Sequence, residues 1–218
     1  MKRKGSRRKV SVQTIQRLPR YYQYISYLRK QGIRFVSSLK LSLQTYVEAT
    51  QVRKDLTSIG HTGKPKVGYE IDQLMNTIED FLGLRTIEDA VLIGVGHLGT
   101  AIVQYGGFAN YGLRIKAVFD ADPMKIGTHI QGRVIQDVSH VGQYVRDHKI
   151  PIGIMTLPAP GAQEVTDMLI KSGVNAIWNF APINLFVPEH VIIKNENLAF
   201  GLAILKYRLK SLAERSSS

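Results

Sequence analysis

Residues 91–105, VLIGVGHLGTAIVQY, constrain this chain more than any other stretch. They read as a buried strand, a glycine-rich turn and the opening of a helix. Gly94, Gly96 and Gly99 form the pattern G-x-G-x-x-G. The first glycine permits the tight turn, the second lets a pyrophosphate approach the backbone, and the third lets helix pack on strand. The N-terminus of such a helix offers N–H donors and a partial positive charge to phosphate. The stretch LRIKAVFD then reads as a second strand ending at Asp120, 21 residues past Gly99. At that spacing a carboxylate accepts hydrogen bonds from an adenosine ribose. The reading is a Rossmann-type α/β domain with Gly94, Val95, Gly96, His97, Leu98, Gly99 and Asp120 at its cofactor. Asp120 repels a 2′-phosphate, which favours NAD(H) over NADP(H), while Lys125 stands close enough in sequence to offset part of that charge. A sheet of the same type that binds coenzyme A, or no dinucleotide, stays open.

Two further strands follow. IPIGIMT runs into Thr156, Leu157 and Pro158, and NAIWNFAP ends in Asn179, Phe180, Ala181 and Pro182. Segments leaving the carboxyl ends of such strands line the ligand crevice, and these seven residues are assigned to it. Asn179 either lines the crevice or caps the segment after it. No catalytic residue is assigned. The six histidines, at 61, 97, 129, 140, 148 and 190, show no metal-ligand spacing, and no G-x-S-x-G, H-E-x-x-H or Walker sequence occurs. The expectation is that the cofactor is read and left unreacted.

Charge divides the chain. Residues 1–85 hold 17 Lys and Arg against 6 Asp and Glu, while residues 86–218 hold 12 against 11. A basic block of this kind points to a polyanion. No apolar run reaches the roughly 18 residues that span a bilayer, and the N-terminus has charge without the apolar stretch of a secretory signal. Cysteine is absent, which excludes disulfides and thiol chemistry and suits a reducing compartment. The chain is read as cytoplasmic, without a membrane partner.

Within the basic block, residues 1–12 read as a mobile tail and 13–85 as a domain. LPRYYQYISYLRKQG places Leu18, Tyr22, Ile25 and Leu28 at helical intervals, with Pro19 in the first turn and Gly32 as the stop. VSSLKLSLQTYV suggests a second helix capped by Ser37 or Ser38. In the third, Ala49, Val52, Leu56 and Ile59 form an apolar face, with Thr50, Gln51, Arg53, Lys54 and Thr57 opposite. HTGKPKVGYE reads as a hairpin with Lys64 and Lys66 at its tip. The closing helix puts Leu74, Ile78 and Phe81 inward and stops at Gly83. This order describes a winged helix-turn-helix, whose exposed Arg and Gln can read guanine and adenine in the major groove. A helical bundle with a merely solvated charged face is the alternative. Tyr46 occupies a turn position where glycine is common, so either it bears strain or the turn differs.

Residues 86–195 are read as the Rossmann domain and 196–218 as a final helix and tail. Leu198, Leu202, Leu205 and Leu209 lie on one stripe of that helix, which either folds back on its own sheet or crosses to another subunit.

Taken together and in order, QVRKDL, VGYEID, GVGHLGTA, VFDADPMKIG, PAPGAQEVTDML, GVNAIWNFAPI and LAFGLAIL resemble the Rex family of NADH-responsive transcriptional repressors, from about Leu18 to Leu209. The resemblance implies a homodimer with a winged-helix domain, a Rossmann domain and a terminal helix exchanged between subunits. It implies binding to an inverted-repeat operator in double-stranded DNA when NAD+ is high, and release by NADH. It places Arg53 and Lys54 on DNA, Gly94 to Gly99 on the pyrophosphate and Asp120 on the ribose. Tyr105 matches a family tyrosine that changes partners on NADH binding. The family's acidic and arginine partners fall at Asn197 and Gln23 here, which hydrogen-bond but form no charge-assisted pair. A related regulator sensing another nucleotide or only dimerising, and an NAD-dependent enzyme with an accessory nucleic-acid domain, are the other readings.

Overall fold

The computed structural model describes residues 10–216. Most of the basic tail expected at 1–12 lies outside the described residues, as does the side chain of Leu198. The chain divides into two compact units, Met1–Thr86 and Ile87–Ser218.

The first unit opens with α1 (Val12–Lys30), then β1 (Phe35–Val36), α2 (Ser38–Thr45), α3 (Ala49–Ser58), β2 (Tyr69–Glu70) and α4 (Ile71–Leu82). The start of α1 corrects the sequence reading. The Ser11 side chain caps the helix by accepting from the Thr14 N–H at 3.1 Å, so Pro19 sits in the helix interior and not in its first turn. Residues 12–17 are too polar for periodicity to reveal, and Pro19 has no N–H to return to the Ile15 carbonyl. Ser37 is the cap of α2, accepting from the Lys40 N–H. Tyr46 ends that helix in the left-handed region at φ 55° without a glycine, which answers the question of strain at this turn.

β1 and β2 pair antiparallel, Val36 opposite Tyr69, and between α3 and β2 the Lys64 and Gly68 backbones exchange two hydrogen bonds to close the wing turn. The core gathers Leu18, Tyr21, Ile25, Leu41, Val52, Leu56, Leu74 and Ile78, all fully buried. Phe81 is a second correction. It is exposed, and Leu82 packs on the core instead. The buried face of α4 comprises Ile71, Leu74, Met75 and Ile78, and at 100° per residue Leu82 lies nearer its centre than Phe81 does.

The second unit comprises β3 (Glu88–Ile93), α5 (His97–Gln104), a short 3-10 turn at 106–111, β4 (Leu113–Asp120), β5 (His129–Ile130), β6 (Arg133–Asp137), α6 (Val141–His148), β7 (Ile152–Met155), α7 (Ala162–Lys171), β8 (Ala176–Asn179), β9 (Ile192–Asn195) and α8 (Leu198–Ser216). The sheet order is β5-β6-β4-β3-β7-β8-β9, parallel except for the β5–β6 hairpin. Apart from β5, this is the doubly wound order 3-2-1-4-5-6. Val91 and Ile93 of β3 enter one core and Ala90 and Leu92 the other, because alternate strand residues face opposite sides and helices cover both.

The final helix joins neither core. Phe200, Leu202, Ile204, Leu205, Tyr207 and Leu209 are each 54–72% exposed. None of these side chains belongs to a core of its own sheet.

Candidate dinucleotide crevice and DNA-reading surface

The order reversal of the sheet lies between β3 and β7, and the glycine turn emerges there. Gly94 takes φ +98°, and a Cβ on it would meet the Thr156 carbonyl oxygen at 2.8 Å. A Cβ on Gly99 would collide with the Gly94 carbonyl oxygen. Gly96 has nothing within 4 Å of such a Cβ, so its side of the turn is open to a ligand. Two side chains hold the turn from outside. The Thr156 hydroxyl donates to the Gly94 oxygen at 2.6 Å, and the Val95 N–H donates to Asp120 Oδ2 at 2.6 Å.

Asp120 is buried at the end of β4, and its second oxygen accepts from the Asp122 N–H at 2.9 Å. Lys125 Nζ lies 3.3 Å from Asp120 and 3.5 Å from Asp122. Burial raises the Asp120 pKa, but the Asp122 and Val95 N–H groups and Lys125 outweigh it and hold the carboxyl below its ordinary value. Lys125 is therefore engaged by two carboxylates.

The remaining crevice residues divide. His97 is exposed at the start of α5, Pro158 and Pro182 are exposed, and Leu157 and Phe180 are half-buried. Val95, Leu98 and Ala181 contribute to the cores. Asn179 caps. Its Nδ2 donates to the Ile183 carbonyl and to Asn195 Oδ1, and its Oδ1 accepts from the Ala181 N–H. Among the described residues no cluster of His, Cys, Asp or Glu is placed to hold a metal ion.

In the first unit, Thr50, Arg53, Lys54 and Thr57 project from the exposed side of α3. The Arg53 guanidinium rests between the Ser38 and Thr50 hydroxyls, 3.1 Å from each. Ser37, Ser38, Arg53, Thr57, Lys64 and Lys66 help line a groove of about 480 Å³ between α3 and the wing. Gln51 differs from the other residues of that face. Its Nε2 donates to Asp55 Oδ1 at 2.8 Å, so its amide is turned toward the domain interior.

Asp55 was not singled out by sequence reasoning. It is fully buried on α3 and accepts from Thr14, Tyr21 and Gln51 and from two nitrogens of Arg17, the closest at 2.6 Å. Burial raises its pKa, but donation from Arg17, Gln51, Tyr21 and Thr14 brings it down to about 2.

The three residues matched to the family switch each have their own surroundings within their unit. Tyr105, 57% exposed, meets Phe108 edge-on at 4.8 Å. Asn197 accepts from the Ala199 N–H and so caps α8. Gln23 lies with Tyr24, Tyr27 and Tyr46 in a groove of about 680 Å³ in the first unit.

Comparison with known proteins agrees with this division. Residues 85–183 match the family described as "CoA binding domain", and residues 9–57 match "Putative DNA-binding protein N-terminus". The redox-sensing transcriptional repressor Rex of Bacteroides thetaiotaomicron is 39% identical, over 92% of this chain and 91% of that protein. Its namesake in Clostridium beijerinckii is 40% identical, over 92% and 95%. A crystal structure of RSP in complex with beta-NADH matches with a TM-score of 0.88 at 37% identity, covering 96% of this chain and 98% of that one. RSP in complex with beta-NAD+ and operator DNA matches at 0.86 and 38% identity, covering 95% and 96%. By identity sustained over nearly the whole length of its relatives, the chain belongs to the Rex family of redox-sensing transcriptional repressors.

Proposed function

We propose that this protein is a transcriptional repressor that binds an inverted-repeat operator with NAD+ or without ligand and is released by NADH. The observation that carries the reading is the turn at Gly94–Gly99, fastened by Asp120 and open at Gly96, in the same chain as a basic α3 and wing. The relatives are named redox-sensing repressors, and similar structures hold beta-NADH or beta-NAD+ with operator DNA. Arg53 and Lys54 read or grip the duplex from α3, joined by Thr50, Thr57, Lys64 and Lys66. Asp120 takes the ribose, and the first turn of α5 takes the pyrophosphate. A 2′-phosphate is disfavoured because Lys125 is already paired with two carboxylates.

The family description that names coenzyme A favours a second ligand. Coenzyme A places a phosphate on the adenosine ribose, beside the Asp120 carboxylate, and the charge repulsion argues against it. Mass spectrometry of the ligand retained by the native protein separates the two.

The protein is read as a sensor and not an enzyme, because its relatives are named redox-sensing transcriptional repressors. It is read as a homodimer through α8, whose exposed apolar side chains need a partner surface. Two copies of α3 must then meet half-sites about 34–36 Å apart, so a modest rotation between subunits loses affinity. The deciding experiment is operator binding with NAD+ and NADH side by side; equal affinity in both refutes NADH-driven release.

A further inference from the structure

Trp178 is the only tryptophan in the chain. It lies on β8, one residue before Asn179, with its ring half-buried. Its ring meets Phe180 at 4.8 Å and Phe108 at 5.4 Å, and Phe108 meets Tyr105 at 4.8 Å. Four aromatic rings thus run in unbroken contact from the crevice loop after β8 to the C-terminal end of α5. A Cβ on Gly107 would collide with the Tyr105 ring, so a glycine at that position fits the ring's placement.

The same tryptophan reaches a second place. Its Nε1 donates to Glu196 Oε1 at 3.2 Å, and Glu196 stands two residues before α8. Asn179 makes the neighbouring link, donating to Asn195 Oδ1 at 2.8 Å. The last two residues of β8 therefore hold the crevice loop, the aromatic row and the root of α8 together. Two of the three contacts are edge-to-face and the Trp178–Phe180 contact is tilted at 51°, and closely packed rings deform little and transmit strain. A displacement of Phe180 by a planar group in the crevice meets Trp178 first, and from there Phe108 and Glu196.

We propose that Trp178 is a positioning residue that couples occupancy of the nucleotide crevice to Tyr105 and to the root of α8. This rests on the NADH-responsive reading above. A coupling claim requires a thermodynamic cycle, so operator affinity is measured with and without NADH for the full chain and for W178F, W178L and E196Q, alongside NADH affinity. W178F keeps a ring but loses the bond to Glu196; W178L breaks the row; E196Q weakens the acceptor and removes the charge that faces Lys194 Nζ at 3.4 Å. In wild type the ratio of the two operator affinities falls in the range of about 5–150-fold typical of such coupling. The ratio is expected to shrink at least about fivefold in W178L and less in W178F and E196Q, with NADH affinity held within about threefold. A residue that only supports the fold lowers stability and leaves that ratio alone. An unchanged ratio in a variant that still binds NADH overturns the proposal, and so does a loss explained wholly by weaker NADH binding. Should W178L fail to fold, W178F and E196Q decide by the same ratio. A wild-type ratio of one refutes the functional reading itself.

Discussion

The Asp120 carboxylate, at the end of β4, accepts the backbone N–H of Val95, inside the glycine turn after β3, at 2.6 Å. One side chain thereby joins the two segments that a dinucleotide must touch together. The group proposed to receive the ribose also sets where the pyrophosphate-binding turn lies. Asp120→Asn keeps an oxygen for the Val95 N–H but loses the charge. NADH affinity is expected to fall about 10- to 100-fold, the scale of one or two hydrogen bonds to a charged group. Fluorescence titration with NADH checks this, and the preference over NADPH should shrink in the same variant.

The glycines of the turn differ in what limits them, which gives a paired test. Gly96→Ala meets no protein atom, so stability should stay within about 0.5 kcal/mol while dinucleotide affinity drops. Gly99→Ala drives its Cβ into the Gly94 carbonyl oxygen and should cost about 1–3 kcal/mol as well as binding. Thermal unfolding and ligand titration on both variants separate ligand space from packing space. Equal loss of stability in the two would contradict the geometry.

Asp55 fastens α3 to α1 through Arg17, Tyr21 and Thr14. Asp55→Ala should destabilise the first unit by about 3 kcal/mol, since removing one partner strands the others, although Arg17 partly reaches solvent. The pKa of Asp55 is about 2 in the folded chain, below the ordinary unfolded value of about 3.9. Its stabilisation is therefore complete above about pH 4 and is lost as the pH falls through about 2. Urea unfolding at pH 7 gives the size of the effect. Acid titration of stability in Asp55→Asn, which should lack this component, gives the sign.

Arg53 and Lys54 are adjacent, and the proposed reading gives them different tasks. Arg53→Ala should weaken operator binding by about 1–3 kcal/mol and relax the preference for operator over random DNA. Lys54→Ala should weaken both alike and reduce the salt slope by about one unit. Binding isotherms on both DNAs at several salt concentrations distinguish them. Intact specificity in Arg53→Ala would mean that another element does the reading.

What the sequence determined by itself was local. The strand, glycine turn and helix at 91–105, the strand ending at Asp120, the exposed face of α3 and the stops at Gly32 and Gly83 all follow from steric rules and short periodicities. These act between residues a few positions apart, so a linear reading sees them. Tertiary structure alone decided the burial of Asp55. A carboxylate on a helix reads as solvent-facing unless its partners are known, and Arg17 and Tyr21 are 38 and 34 residues away in the chain. It decided likewise that Gln51 turns inward, that Asn179 caps the crevice loop, that Leu82 and not Phe81 enters the core, and that Trp178 touches Glu196. Each depends on a group brought close by packing, and a polar group in a low-dielectric interior takes whichever partner the fold supplies.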